Sequence, residues 1–263
     1  MPRGICKLCL IEKDLRDSHY MPAAIFKQLR MPTFKNPNPV LITPDVTCTT
    51  SRQVKDYVLC SDCEQRFSKQ GEAWVLANMA RPGGFALQAS LLAAGPLERN
   101  NDFAVFSGAA IPSINMDALA YFGMSIFWRA GAHQWRGESG PMGGIDIGIY
   151  QEPIRQFLLG GDFPTNAVIL VAVWPKLEVP LLAYTPRKGE ALGYEAFNFM
   201  IPGIEFRLLL GENVPTQMRE CCSQTSTLRC IFSATTMIEE TRETFIKLAS
   251  ESTVSRNLKD TWL

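Results

Sequence analysis

Two Cys-x-x-Cys pairs constrain the fold of this chain more than any other feature of its sequence. Cys6 and Cys9 form the first pair, and Cys60 and Cys63 form the second. Two cysteines separated by two residues let a tight turn aim both sulfur atoms at one metal ion, and four thiolates complete a tetrahedral zinc site. The alternative interpretation is that all four thiols are ordinary small core residues. Because a closed four-thiolate site leaves no coordination position open, we expect this zinc to be structural.

The segments around the two pairs follow the order of a treble-clef zinc fold. A knuckle at the first pair precedes a helical pattern over residues 23–30, a Pro-rich loop over residues 31–50 and a strand over residues 54–59. A helix over residues 64–80 then begins at the second pair, where the positive end of the helix dipole favours thiolate charge.

A break at Arg81-Pro82-Gly83-Gly84 predicts a boundary between a zinc module, residues 1–80, and a second domain, residues 81–263. The second domain starts with helical patterns, and the one over residues 115–132 is apolar around most of its circumference, which predicts a buried helix. Short apolar and β-branched segments follow and predict a mostly antiparallel sheet, with strands over residues 167–174, 181–185, 195–201, 204–210 and 228–233. The predicted fold class is α+β.

Composition bears on the compartment and on the partners. Eight cysteines without a secretory signal predict a reducing, cytoplasmic location, and the lack of a long apolar run predicts no membrane span. The net charge is zero, so no global field attracts nucleic acid or membranes. Residues 1–70 nevertheless carry 11 Lys and Arg against 7 Asp and Glu. Such an excess is typical of an end that faces nucleic acid, or else of chance variation on solvated faces.

Three short motifs resemble the zinc-containing HNH endonucleases, also called the ββα-metal family. The motifs are Cys6-x-x-Cys9, Ser18-His19-x-x-Pro22 and Leu59-Cys60-x-x-Cys63-Glu64. The same regions, together with the segment from Phe122 to Arg129, are similar more closely to a broad group of uncharacterised bacterial HNH-like proteins. Most of this resemblance lies within the zinc module.

The resemblance implies a nuclease in which His19 is the general base that takes a proton from the water attacking a phosphodiester. It also implies a divalent ion, magnesium or manganese, that stabilises the leaving oxygen. Two positions depart from the family: Ser18 stands where Asp, Glu or His is usual, and Glu64 stands where Asn or His is usual. Glu64 either binds the divalent ion or caps the helix start, and His19 is either the base or a histidine that bonds the loop backbone.

Seven basic residues of the module are candidates for phosphate contacts. They are Lys7, Arg16, Lys27, Arg30, Arg52, Lys55 and Arg66. Each of them is equally compatible with a solvated surface position.

Two hypotheses follow. The first is a zinc-stabilised nucleic-acid-binding protein of HNH ancestry, with a degenerate active site for phosphodiester cleavage, as in bacterial or phage conflict systems. The second is a non-catalytic, zinc-stabilised scaffold that binds a protein partner. The retained His19 favours cleavage, whereas the missing metal ligands favour binding without hydrolysis.

Overall fold

The structure is a computed structural model that describes residues 1–30, 35, 37–137, 140–141, 144–177, 181–191, 193–234 and 236–255. It has the predicted α+β fold, with helices packed around one large sheet and several small ones. The helices are α1 (Ala23–Gln28), α2 (Ser61–Phe67), α3 (Ala73–Asn78), α4 (Ala86–Ala94), α5 (Met116–Ala132), α6 (Gln151–Leu158), α7 (Thr216–Glu220) and α8 (Thr236–Glu251). The strands are β1 (Arg3–Ile5), β2 (Glu12–His19), β3 (Val40–Ile42), β4 (Val46–Thr49), β5 (Lys55–Cys60), β6 (Glu98–Arg99), β7 (Phe103–Ser107), β8 (Arg136–Gly137), β9 (Gly140–Pro141), β10 (Ala167–Val173), β11 (Tyr184–Ala191), β12 (Tyr194–Ile201), β13 (Ile204–Leu210), β14 (Cys230–Ala234) and β15 (Thr253–Val254).

A large sheet forms the centre of the second half of the chain. Its strand order is β11-β12-β13-β10-β14-β7-β6, and the only parallel pair in it is β10 with β14, so the predicted mostly antiparallel sheet is confirmed. Gly203, between β12 and β13, has a φ of 80°, the backbone conformation that the Pro202-Gly203 turn requires. The strand predicted over residues 181–185 starts later, since β11 begins at Tyr184.

Helix α5 is the buried centre of the molecule, as its apolar pattern predicts. All of its residues from Met116 to Ala130 are buried except Asp117. A Cβ atom at Gly123 would lie 2.5 Å from Ile169 of β10, so glycine at this position allows the helix to approach the sheet closely. Asn115 caps the helix, because its side chain accepts a hydrogen bond from the N–H group of Ala118.

The helix predicted over residues 64–80 is interrupted. A π-helical turn over residues Ser68–Glu72 separates α2 from α3. Gly71 in this turn faces the backbone of α5: a Cβ atom there would lie 2.9 Å from the backbone nitrogen of Phe122. The wider turn therefore occurs where this helical segment packs closely against α5.

The prediction of a loop over residues 31–50 is wrong for the second half of that segment. Val40–Ile42 and Val46–Thr49 are antiparallel strands, and β15 pairs in parallel with β4 to form a three-stranded sheet. The β-branched residues outweigh the prolines there because Pro39 and Pro44 lie just outside the strands. Residues 31–34 and 36 lie outside the described part of this segment, and residues 256–263 of the tail do as well.

The buried apolar core runs without interruption from the N-terminal residues to the central sheet. It includes Leu8, Phe67, Phe122 and Phe206. The backbone N–H of Ala80 donates to the carbonyl of Pro202, so the segment at the expected boundary is bonded to a turn of the central sheet. The division into residues 1–80 and 81–263 stays a prediction.

Candidate metal centre

Four cysteines lie together at the edge of the three-stranded sheet β1-β2-β5. Their sulfur atoms, those of Cys6, Cys9, Cys60 and Cys63, all lie within 4.8 Å of one another. Cys6, Cys60 and Cys63 are buried, and Cys9 is half-buried. The two pairs are separated by fifty residues of chain, so this arrangement depends on the fold and fits a single metal ion held by four sulfurs.

The first pair occupies the turn between β1 and β2. The N–H of Cys6 donates to the carbonyl of Ile11 at 3.0 Å, and the N–H of Leu10 donates back to the carbonyl of Cys6 at 2.9 Å. Leu10 has a φ of 59°, a left-handed conformation that a tight turn of this kind requires. The N–H of Lys7 donates to the carbonyl of Val58, which ties the turn to β5.

The second pair joins a strand end to a helix start. Cys60 is the last residue of β5 and the N-cap of α2, and Cys63 lies in the first turn of that helix. The backbone N–H of Cys60 donates to the sulfur of Cys6 at 3.3 Å. This donor stabilises negative charge on the Cys6 sulfur, and the helix dipole favours negative charge at the start of α2.

The proton affinities of the cysteines follow from these contacts. A hydrogen bond from the Cys63 thiol, helped by backbone N–H groups, lowers the pKa of Cys6 to about 4 despite its burial. The bond to the Cys6 sulfur and burial raise the pKa of Cys63, and burial raises that of Cys9. Without a metal ion, the thiolate of Cys6 is therefore stable beside the neutral thiols of Cys9 and Cys63. A thiophilic cation would displace the remaining protons, so that its affinity would rise with pH.

His19 is the last residue of β2, across from Lys55 in β5. It is half-buried, and its carbonyl accepts a hydrogen bond from Arg129 at 3.5 Å. Its imidazole makes no hydrogen bond or ion pair within the described residues. The role of His19, as a base or as a histidine that bonds the loop backbone, stays a prediction.

Ser18, the residue before His19, bonds the backbone. Its buried hydroxyl accepts from the N–H of Leu59 at 3.1 Å and donates to the carbonyl of Arg16. The register of β2 with β5 shifts at this point, between Arg16 and Asp17. Ser18 therefore satisfies a backbone donor at the β-bulge.

Glu64 lies in the first turn of α2 and is half-buried. Together with Asp62 it places acidic side chains in that turn, where the helix dipole favours negative charge, so its role as a helix cap or as a metal ligand stays a prediction. Its Oε1 atom is buried and has no hydrogen-bond partner among the described residues. The chain parts that the structure describes hold no second group of three metal-binding side chains besides the four cysteines.

The candidate basic residues differ in their surroundings. Lys55 pairs with Asp17, Arg30 donates to Asn38, and the half-buried Arg66 donates to the carbonyl of Leu159 at 3.3 Å. The others are exposed to solvent: Lys7, Arg16, Lys27 and Arg52.

Sequence patterns did not indicate the contacts that join the cysteine site to the rest of the molecule. Arg129 of α5 is buried, pairs with Glu72 at 2.5 Å and stacks on the Phe67 ring. Arg155 of α6 donates to the carbonyl of Leu8, in the first knuckle, at 2.5 Å. Both arginines come from the second half of the chain, so no local pattern indicates their contacts.

Comparison with known proteins gives no relative for this chain: it matches no model of a known protein family, no curated protein and no solved structure. Among the described residues, no helix has the length and apolar character needed to cross a membrane.

Proposed function

We propose that this chain is a zinc-stabilised nucleic-acid-binding protein with HNH-type phosphodiesterase chemistry at His19. The observation that supports it most is the position of His19 relative to the cysteine site. Strand β2 begins after the first cysteine pair and ends at His19, and its partner β5 ends at the second pair. A metal ion at the cysteines would hold both strands and so fix the imidazole, as a treble-clef module does.

Zinc is the metal that fits the cysteine site best. Four thiolates suit zinc, which prefers tetrahedral sulfur ligands in structural sites. Such a site is closed, so this ion would organise the fold and not take part in the reaction. A second, divalent ion such as magnesium or manganese would stabilise charge on the phosphate, with Glu64 as its proposed carboxylate ligand.

In the proposed reaction His19 takes a proton from water, and the water oxygen attacks the phosphorus atom. Exposed cations of the module, among them Lys7 and Arg16, would hold the flanking phosphates. Such contacts are independent of base sequence, so binding should weaken as salt increases.

Nicking of a supercoiled plasmid tests the proposal. We expect the wild-type protein to nick DNA when magnesium or manganese is present, and His19→Ala to lose about 100-fold or more of this activity, because general bases contribute about 10²–10⁴-fold. Lys188→Gln is the matched control, since it removes a surface ion pair with Glu195 in the central sheet. A wild-type protein that binds zinc but cleaves neither DNA nor RNA with any divalent ion would exclude the nuclease function.

One observation favours docking of a protein partner as a second candidate function. Ile5, Leu10 and Ile11, around the first knuckle, are 62%, 56% and 53% exposed. Exposed apolar side chains grouped on one turn are typical of interaction sites. A zinc-loaded protein that neither binds nor cleaves nucleic acid would favour docking of a protein partner at this knuckle.

A further inference from the structure

The end of the β2-β5 ribbon carries four polar or aromatic side chains on one face. Asp17 lies directly opposite Tyr57 across the ladder, and His19 lies directly opposite Lys55. Opposed side chains of an antiparallel pair share a face, and residues two apart along one strand do so as well. The ion pair between Lys55 and Asp17, which are diagonal neighbours, agrees with this placement. We call these four residues the ribbon face.

The other face of the same strand ends is packed against the segment after α5. Ser18 and Tyr20 are buried, and the Tyr20 ring stacks on that of Trp135 with ring centroids 5.2 Å apart. The Nε2 atom of His133 lies 2.8 Å from Oδ2 of Asp56, which is opposite Ser18 in the ladder. Because one face is held in this way, the ribbon face points away from α5 and has a fixed support.

Tyr57 presents an exposed aromatic ring on the ribbon face. The residue is 46% exposed. Among the residues that the structure describes, its ring makes no aromatic contact and its hydroxyl makes no hydrogen bond. Nucleobases stack on aromatic planes of this kind whatever their sequence. Because the bases of a duplex are stacked on one another and present only their edges in the grooves, such a plane selects unpaired bases.

Lys55 is a neighbour of both this ring and the imidazole of His19. It is two residues from Tyr57 along β5, or about 6.6 Å, and directly opposite His19. One of the three donors of its ammonium bonds Asp17, and the other two bond no described residue. The separation of about 6.6 Å is comparable with that of a nucleobase from its own phosphate group. A nucleotide stacked on Tyr57 can therefore place its phosphate between Lys55 and His19.

From this arrangement we infer that the ribbon face binds one unpaired nucleotide, with its base on Tyr57 and its phosphate between Lys55 and His19. Single-stranded DNA or RNA is then the substrate class of the site. The inference rests on the proposed function, which it deepens by naming the form of nucleic acid that reaches His19. A negatively supercoiled plasmid contains transiently unpaired segments, so the nicking expected above agrees with this substrate class.

Fluorescence anisotropy with labelled oligonucleotides tests the inference on the zinc-loaded protein. The probes are a single strand of mixed sequence, about 16 nucleotides long, made as DNA and as RNA, and the DNA strand annealed to its complement. Magnesium and manganese are left out so that no probe is cleaved. We expect the wild-type protein to bind at least one of the single strands about 10-fold or more tightly than the duplex, since only an unpaired base reaches Tyr57.

Substitutions on the ribbon face locate the binding. Tyr57→Ala should weaken single-strand binding about 10-fold, because one stacked base is lost, and duplex binding less than about 2-fold. Tyr57→Phe keeps the ring and should bind like the wild type. Tyr194→Ala is the matched control, since Tyr194 is 44% exposed and lies in β12 of the central sheet. Lys55→Gln should lower the slope of log affinity against log salt by about 0.7, the value of one phosphate contact on a single strand.

The outcomes separate this inference from the proposed function. Equal affinity for single strand and duplex, a Tyr57→Ala protein that binds single strands as Tyr194→Ala does, or an unchanged salt slope in Lys55→Gln overturns the inference and leaves the nicking test standing. A wild-type protein that binds neither form overturns both. Tyr57-dependent binding in a protein that cleaves no nucleic acid supports the ribbon face as the binding site and removes only the chemistry at His19. Zinc content and melting temperature show whether each variant is folded.

Discussion

The hydroxyl group of Ser18 forms hydrogen bonds with both β2 and β5, the two longer strands beside the cysteine site. Ser18 is buried, and its oxygen accepts the N–H of Leu59 where the register of β2 and β5 shifts. Leu59 immediately precedes Cys60, so the bond fixes the last residues of the strand before the second cysteine pair. Serine fits this position because the backbone needs an acceptor there.

Replacing Ser18 tests this role. We expect Ser18→Ala to lower the free energy of unfolding by about 1–3 kcal/mol, because the buried N–H of Leu59 loses its acceptor. Bound metal should be retained, since no sulfur is changed. Urea unfolding followed by fluorescence measures the first quantity, and elemental analysis measures the second.

The exposed Ser51 provides a control of the same chemistry. Its replacement by alanine should change stability by less than about 0.5 kcal/mol. A Ser18→Ala protein as stable as the Ser51→Ala protein would show that water or a shifted strand replaces the hydroxyl.

At the scale of elements, the cysteine site joins a turn, a strand end and a helix start. The turn between β1 and β2 is held by its own hydrogen bonds, but α2 has only one turn beyond Cys63 before the π-helical turn begins. Short helices have little stability of their own. The metal is therefore expected to stabilise α2 and β5 more than the central sheet.

Removal of the metal tests this expectation. We expect the purified protein to contain one zinc per chain, and Cys63→Ser to lose it together with about 3–5 kcal/mol of stability, a fall in melting temperature of about 10 °C. Hydrogen exchange should accelerate in residues 1–20 and 55–72 more than in β10, β12 and β13.

Cys48→Ser changes a cysteine in β4, outside the site, and should keep both metal and exchange pattern. A chelated wild-type protein with unchanged exchange in α2 would contradict the structural role of the metal.

Sequence patterns predicted the elements better than their interruptions. The cysteine spacing correctly indicated a cluster, and the apolar run of α5 indicated a buried helix, because both signals are local. No local pattern indicates the π-helical turn, whose Gly71 packs against Phe122, a residue far away in the sequence. Likewise the prolines predict a loop where β3 lies, and its pairing with β4 outweighs them.

At the scale of the molecule, arginines from the second half of the chain bond the backbone of the first. Arg129 reaches the carbonyl of His19, and Arg155 reaches that of Leu8. Such contacts across long sequence separations cannot be inferred from residue spacing. They bond the end of β2, at His19, to α5 and the first knuckle to α6.

Removing the guanidinium of Arg129 tests how strongly the two halves depend on one another. Arg129→Met would leave Glu72 without its cation and the carbonyl of His19 without its donor. We expect a loss of about 3–5 kcal/mol in unfolding free energy, since one partner of a buried ion pair remains charged. Chemical denaturation measures it, and Lys188→Met, at an exposed ion pair, should cost less than about 1 kcal/mol.

The pairing of β15 with β4 sets an order on folding during synthesis. Strand β4 belongs to the segment between the two cysteine pairs, yet its parallel partner is residues 253–254. Thr253 donates to the carbonyl of Asp45, and Ser252 bonds the hydroxyl of Thr47. While a ribosome is still elongating the chain, the cysteines can already gather, but one edge of this small sheet stays open until residues 253–254 have been made. A nascent chain halted before residue 253 therefore exposes a β-strand that neighbouring ribosomes' products can capture.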